Sequence, residues 1–158
     1  MSVAPSAPPS ARLAQLGLTL PGVVPPLAAY VPASRAGDLV FTAGQVPMRD
    51  GSLMHVGKVG GEVSEAEARA CAEQCALNAL AAAASVAGGL DAIQQVVKVV
   101  VYVASAPDFV GQAAVANGAS ELLGAVFGDA GQHARSAVGA ASLPLDAPVE
   151  VELVVRAG

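Results

Sequence analysis

Alternation of apolar and polar residues marks the strands of this chain. Residues 149–155 read Val-Glu-Val-Glu-Leu-Val-Val. Val149, Val151, Leu153 and Val155 therefore share one face of a strand, and Glu150 and Glu152 share the other. Residues 95–104 are apolar on both faces, with Val97, Val99, Val101 and Val103 on one side and Val96, Val100, Tyr102 and Ala104 on the other. Residues 29–35 and 39–44 predict two more strands, joined by Ala36-Gly37-Asp38, where glycine supplies a positive φ. Residues 133–139 predict the first arm of a terminal hairpin. Its turn is Leu143-Pro144-Leu145-Asp146-Ala147-Pro148, and its second arm is 149–155.

Between these strands the pattern turns helical. Ser64-Glu65-Ala66-Glu67 is a capping box, in which Ser64 bonds first-turn amides and Glu67 reaches back. An Ala- and Leu-rich helix follows to about residue 86, and Gly88-Gly89 stops it. A second helix is predicted from an N-cap at Ser105, with Pro107 in its first turn, to about residue 127. Residues 45–63, holding Asp50-Gly51, Gly57 and Gly60-Gly61, read as a loop. Residues 1–28 form a loose Pro-rich lead-in, with 12–20 either a short helix or extended, and 29–158 form one domain.

The element order is ββαβαββ. Two strand–helix–strand passages predict an α/β sheet with both helices on one face. The doubly apolar strand 95–104 then needs a second cover, and the chain holds no further helix to supply it. A neighbouring subunit is the simplest source.

Composition sharpens this picture. Of 158 residues, 54% are hydrophobic and only 13% charged, with a mean hydropathy of +0.56. The surplus apolar surface fits burial in an oligomer. The most apolar strand is too short for a membrane span and contains Lys98. A net charge of −5 lacks the basic footprint of a nucleic-acid binder. Cys71 and Cys75 share a helix face and read as small buried hydrophobes; His55 and His133 are too few to complete a metal site with them. No secretory pattern opens the chain, so a cytoplasmic location is expected.

The hairpin reading brings one arginine, Arg135, next to a pair of carboxylates in apolar sequence. A guanidinium fork matches a substrate carboxylate, and a nearby glutamate handles protons or positions water. A structural ion pair between Arg135 and Glu150 or Glu152 would read the same way. Periodicity does not separate Glu150 from Glu152. No P-loop, GxGxxG run or Ser-His-Asp order is present.

Several segments also resemble one family. Ala134-Arg135-Ser136-Ala137-Val138, Leu143-Pro144 and Val149-Glu150-Val151-Glu152 are similar to the C-terminal signature of the RidA/YjgF (endoribonuclease L-PSP) imine and enamine deaminases. Residues 39–47, Leu-Val-Phe-Thr-Ala-Gly-Gln-Val-Pro, resemble that family's strand ending in S-G-Q-I-P, and Val97-Lys98 through Tyr102-Val103 with Asp108-Phe109 resemble its middle segment. The resemblance spans residues 30–155. It implies a chorismate-mutase-like homotrimer with ligand sites between subunits. It also implies hydrolysis of small 2-imino acids to 2-keto acids and ammonia without metal or cofactor. By the same likeness Arg135 grips the substrate carboxylate and Glu150 is the acid–base residue. Tyr30 walls the pocket, Gly44 and Ala137 offer backbone at the ligand, and Asn117 matches the second-helix asparagine. The chain departs from the pattern at Ala137, where the family often has cysteine, at Ala43 for the motif serine, and at Pro32 for a glutamine. A carboxylate-binding sensor would retain Arg135 equally well; ribonuclease action, attached to relatives, fits the acidic chain less well.

Overall fold

The computed structural model describes residues 6–158. Five strands form one sheet in the order β1 (Ala33–Ala36), β2 (Leu39–Thr42), β7 (Val149–Ala157), β5 (Ile93–Ala104), β6 (Ala134–Ala140). All neighbours are antiparallel except β5 and β6, which are parallel. The helices α2 (Glu65–Ala87) and α3 (Gln112–Phe127) cover one face. Onto them pack Val99, Val101 and Val103 of β5 and Val149, Val151, Leu153 and Val155 of β7, all buried. This is the expected ββαβαββ mixed sheet with both helices on one side. The parallel β5–β6 pair follows from the crossover through α3.

The terminal hairpin does not form. β6 and β7 both pair with β5 and flank it. The cause lies in β5 itself: apolar along most of its length, it takes a neighbour on each edge. Its end is fixed from both sides, with Ala104 N donating to Pro148 O at 2.9 Å and Ser105 N donating to Ala140 O at 3.0 Å. Residues 141–148 therefore arch over the end of β5. Their tight turn places Leu145 and Asp146 at positive φ, and Lys58 holds it through Asp146 at 3.1 Å.

Strand β5 also changes phase. Val96 pairs with Val155 and Lys98 with Val154, so Val97 is an extra residue, a bulge. Val96 consequently joins Val99, Val101 and Val103 on the buried face, where simple alternation would place Val97. The second helix begins later than Ser105 predicts. Ala106 N donates to Val59 O, and Val59 bridges Ser105. These amides extend the sheet and are not free for a helical first turn. Gly111 becomes the N-cap, and Gln112 reaches back to Ser105 Oγ and Phe109 O.

Other local signals act as read. Ser64 and Glu67 form the reciprocal capping box, and Gly88 ends α2 at φ 96°. The segment expected as a loop, 45–63, contains a small hairpin, β3 (Met48–Arg49) with β4 (Ser52–Leu53). Asp50 and Gly51, at φ 53° and 82°, make a turn whose twist suits a two-residue hairpin. The strand predicted over 29–35 starts only at Ala33, because Pro32 has no N–H to donate. Of the lead-in expected to be loose over 1–28, residues 1–5 lie outside the described residues. Residues 9–15 form helix α1 (Pro9–Gln15), which buries Leu13. Ser10 N and Oγ tie α1 to the Asp91 carboxylate at 2.8 and 2.7 Å.

Helix α2 is long and apolar enough to cross a membrane by composition, yet 72% of its most apolar stretch is buried in this fold. Its alanines let a second helix approach closely. Gly118 on α3 is one such close point, where an added Cβ would stand 2.1 Å from the Arg69 carbonyl oxygen of α2. Backbone cannot swing aside as a side chain can. Gly118→Ala is therefore expected to destabilise the fold by about 1–3 kcal/mol, measured as a shift in the urea midpoint with unchanged slope.

Candidate active site

The site residues read from the sequence fall into two groups on opposite faces of the sheet. The first group lies on the face away from the helices. Glu150 pairs with Tyr102 and points there with Glu152, opposite the buried Val149 and Val151. Beyond Thr42 the chain leaves regular pairing. Phe41 pairs with Val154, but Gln45 pairs with Val151, so β2's continuation carries one extra residue. Thr42 Oγ1 fills the gap in the ladder by accepting from Leu153 N at 2.9 Å. This bulge lays Gly44 against Glu150. A Cβ on Gly44 would come 2.0 Å from Glu150 Oε1, so the carboxylate occupies the space that only glycine leaves open.

A cavity of about 60 Å³ lies over this carboxylate, walled by Pro25, Leu27, Tyr30, Pro32, Met48 and Pro144. Tyr30 is fixed by Leu27 N, which donates to its hydroxyl at 3.1 Å. The Pro-rich lead-in thus closes the pocket. Burial among these apolar groups, with the charge of Glu152 second, raises the Glu150 carboxyl above the ordinary glutamate value. Glu152 has a different environment: Tyr102 donates its hydroxyl to Glu152 Oε1 at 2.8 Å. That bond, followed by burial and by the charges of both glutamates, raises the Tyr102 phenol.

The second group lies on the helix side. Arg135 pairs in register with Val99, shares its face, and reaches α3. Nη1 donates to Asn117 Oδ1 at 2.8 Å and to Ser120 Oγ at 3.2 Å, and Nη2 donates to Ala113 O at 3.4 Å. Ala113, Asn117 and Ser120 are spaced to share one side of α3. All three acceptors are neutral, and among the described residues no carboxylate pairs with Arg135. Ala137 follows two residues on, partly buried against the core. β6 is an edge strand, so its outer backbone groups face outward.

The structure thus brings Tyr30, Gly44 and Glu150 together, and Arg135 and Asn117 together. It does not join the two groups within one chain. Arg135 and the glutamates are not on neighbouring strands, because β5 stands between β6 and β7. Ser120 and His133 beside Arg135 were not singled out from the sequence. His133 reads there as a bystander. The available signal was its spacing: His133 stands two residues before Arg135 in the stretch expected to be a strand, which would put the two on one face.

The chain matches the family model described as "YjgF/chorismate_mutase-like, putative endoribonuclease" over residues 10–156. It is 40% identical over 157 residues to Protein TCP17 of Trypanosoma cruzi, covering 99% of this chain and 98% of that protein. The chain belongs to the YjgF/endoribonuclease L-PSP family. Among solved structures, it superposes on protein Atu1372 of Agrobacterium tumefaciens, of unknown function, with a TM-score of 0.86 at 44% identity, covering 95% and 93% of the two chains. The YjgF gene product of E. coli is more distant, with a TM-score of 0.64 at 25% identity, covering 85% and 93%.

The family match begins at residue 10, within α1. The electrostatics of Glu150 give a direct test of the pocket's dryness. A carboxyl whose folded value is raised destabilises the fold once ionised. The cost is absent below the ordinary glutamate value and appears as pH rises through the folded value. Glu150→Gln should therefore melt above the wild type at pH 7. The gap should close as pH falls toward about 4, as followed by thermal denaturation at a series of pH values.

Proposed function

We propose that the protein is a deaminase of small 2-imino acids whose active site forms between neighbouring copies in a homotrimer. The observation that carries this reading is Arg135, a guanidinium held by Asn117, Ser120 and Ala113 and left without a carboxylate partner among the described residues. Its charge remains for a ligand, and its fork fits a carboxylate. The complementary half is the Glu150 cavity, whose walls are largely apolar and whose carboxyl is raised above the ordinary glutamate value. The uncovered sheet face explains why copies would associate. It presents Phe41, Val138 and Val154 around Tyr102, with Phe41 44% and Val138 45% exposed.

The chemistry follows from these groups. The carboxylate of the 2-imino acid sits on Arg135, and the imine carbon faces Glu150. Glu150 takes a proton from water as the water oxygen bonds to that carbon. It returns the proton to nitrogen to give the carbinolamine. It then takes the new hydroxyl's proton and passes it to the amine as the C–N bond breaks and the carbonyl forms, leaving the 2-keto acid and ammonia. The raised Glu150 carboxyl suits this double duty, since a group titrating closer to neutral gives and takes a proton more evenly. Position 137 is alanine, so no thiol enters the step.

Ribonuclease action is the competing reading named in the family description. A chain of net charge −5 has little to offer a phosphate backbone.

Ammonia release from imines generated by an amino-acid oxidase tests the assignment. Glu150→Gln should lower turnover by about 10²–10⁴-fold, while Glu152→Gln, which meets Tyr102 and not the cavity, should stay within a few-fold. No acceleration by the wild type would leave a carboxylate-binding sensor.

The division of the site between copies has its own test. Arg135→Gln and Glu150→Gln subunits, each inactive alone, are unfolded together and reassembled. The reassembled population as a whole should recover about a quarter of wild-type activity, because random neighbours reunite two intact halves at about that share of all clefts. No recovery, or a stable monomer in light scattering, would sink the shared site.

A further inference from the structure

We propose that Ser120 and His133 are positioning residues that fix Arg135 for binding a carboxylate ligand. The proposal rests on the reading of Arg135 as the ligand clamp. Three bonds run in series behind the guanidinium. His133 Nδ1 lies 2.6 Å from Gly131 O. A carbonyl can only accept, so Nδ1 carries the proton. In the neutral ring Nε2 is then an acceptor, and Ser120 Oγ lies 2.9 Å from it. The serine has a single proton and donates it to Nε2. Its lone pairs are left to face Arg135 Nη1, which donates to Ser120 Oγ at 3.2 Å.

Without His133 this order has a competitor. A serine inside a helix ordinarily gives its proton to the carbonyl one turn back, which turns the oxygen toward its own helix. His133 removes that option by offering a better-placed acceptor. The imidazole is itself oriented by the Gly128–Gly131 turn after α3, so the relay ties together the helix, the turn and β6. Two nearby charges do not interfere. Glu121, next to Ser120, is engaged by Arg69. Lys98 points to the opposite face, donating to Ser136 Oγ. Arg135 thus keeps its full charge while losing its freedom to swing, and a ligand does not have to order it.

The test uses the full chain and 2-oxobutanoate as the probe, with affinity read by calorimetry. Ser120→Ala should weaken binding about tenfold, the usual scale for one hydrogen bond to a charged group. His133→Leu should weaken it about threefold. His133→Gln, whose amide oxygen can still accept from Ser120, should restore affinity to within about twofold. The double variant Ser120→Ala/His133→Leu should bind no worse than Ser120→Ala, since His133 acts only through the serine. Binding by Ser120→Ala equal to wild type, or losses that multiply in the double variant, would overturn the relay.

A second measurement needs no variant. Long-range ¹H–¹⁵N spectra of the wild type should show His133 as the Nδ1–H tautomer. A ring protonated at Nε2 alone would overturn the relay even if every variant failed to fold. Failure of the wild type to bind 2-oxobutanoate would instead overturn the clamp reading of Arg135, and the tautomer would still judge the hydrogen-bond order by itself.

Discussion

Strand β5 is the constraint on which the rest of this structure depends. A strand apolar on both faces must be covered on both, and its backbone must be paired on both edges. Within the chain, β6 and β7 supply the edges, and α2 with α3 supply one face. The bulge at Val97 tunes this arrangement, bringing Val96 onto the helix side with Val99, Val101 and Val103. What remains is an open face carrying Phe41, Val138 and Val154 beside Tyr102, Glu150 and Glu152. Both carboxylates, Glu150 and Glu152, stand on that open side.

The same constraint divides the candidate site. Because β5 separates β6 from β7, the basic and acidic halves cannot meet across adjacent strands. Arg135 goes to the helix side, where α3 offers a column of neutral oxygens. Glu150 goes to the other, where a bulge at Gly44 and the proline-rich lead-in enclose it. A guanidinium and a carboxylate in direct contact would neutralise one another and leave no charge for a ligand. Their separation keeps the cation available and the carboxyl desolvated, so each half retains the property that binding or proton transfer would use.

Much of the local structure was legible. The Ser64–Glu67 capping box, the stop at Gly88 and the alternation of 149–155 act over a few residues and hold wherever the segment is placed. The family likeness likewise marked Tyr30, Gly44 and Glu150, which the fold gathers around one cavity. The errors share a different cause. Ser105 looks like an N-cap, but its own amide is taken by Ala140 and that of Ala106 by Val59. Residues 133–156 look like a hairpin, but a strand from earlier in the chain lies between the arms. His133 looks idle until α3 brings Ser120 to its ring. In each case the deciding partner is distant in sequence and leaves no mark on the local pattern.

By itself the sequence determined the two long helices and the main strands, the apolar face of 149–155, and which residue types could grip a carboxylate or move a proton. Capping, turn chemistry and side-chain periodicity are short-range, so a chain of residues encodes them directly. Only the tertiary structure decided the strand order, the phase of β5 beyond its bulge, and the face on which Arg135 and Glu150 each emerge. Those outcomes come from covering β5 on both edges while α3 carries the chain across to a parallel partner. That is a property of the whole packed sheet and not of any stretch within it.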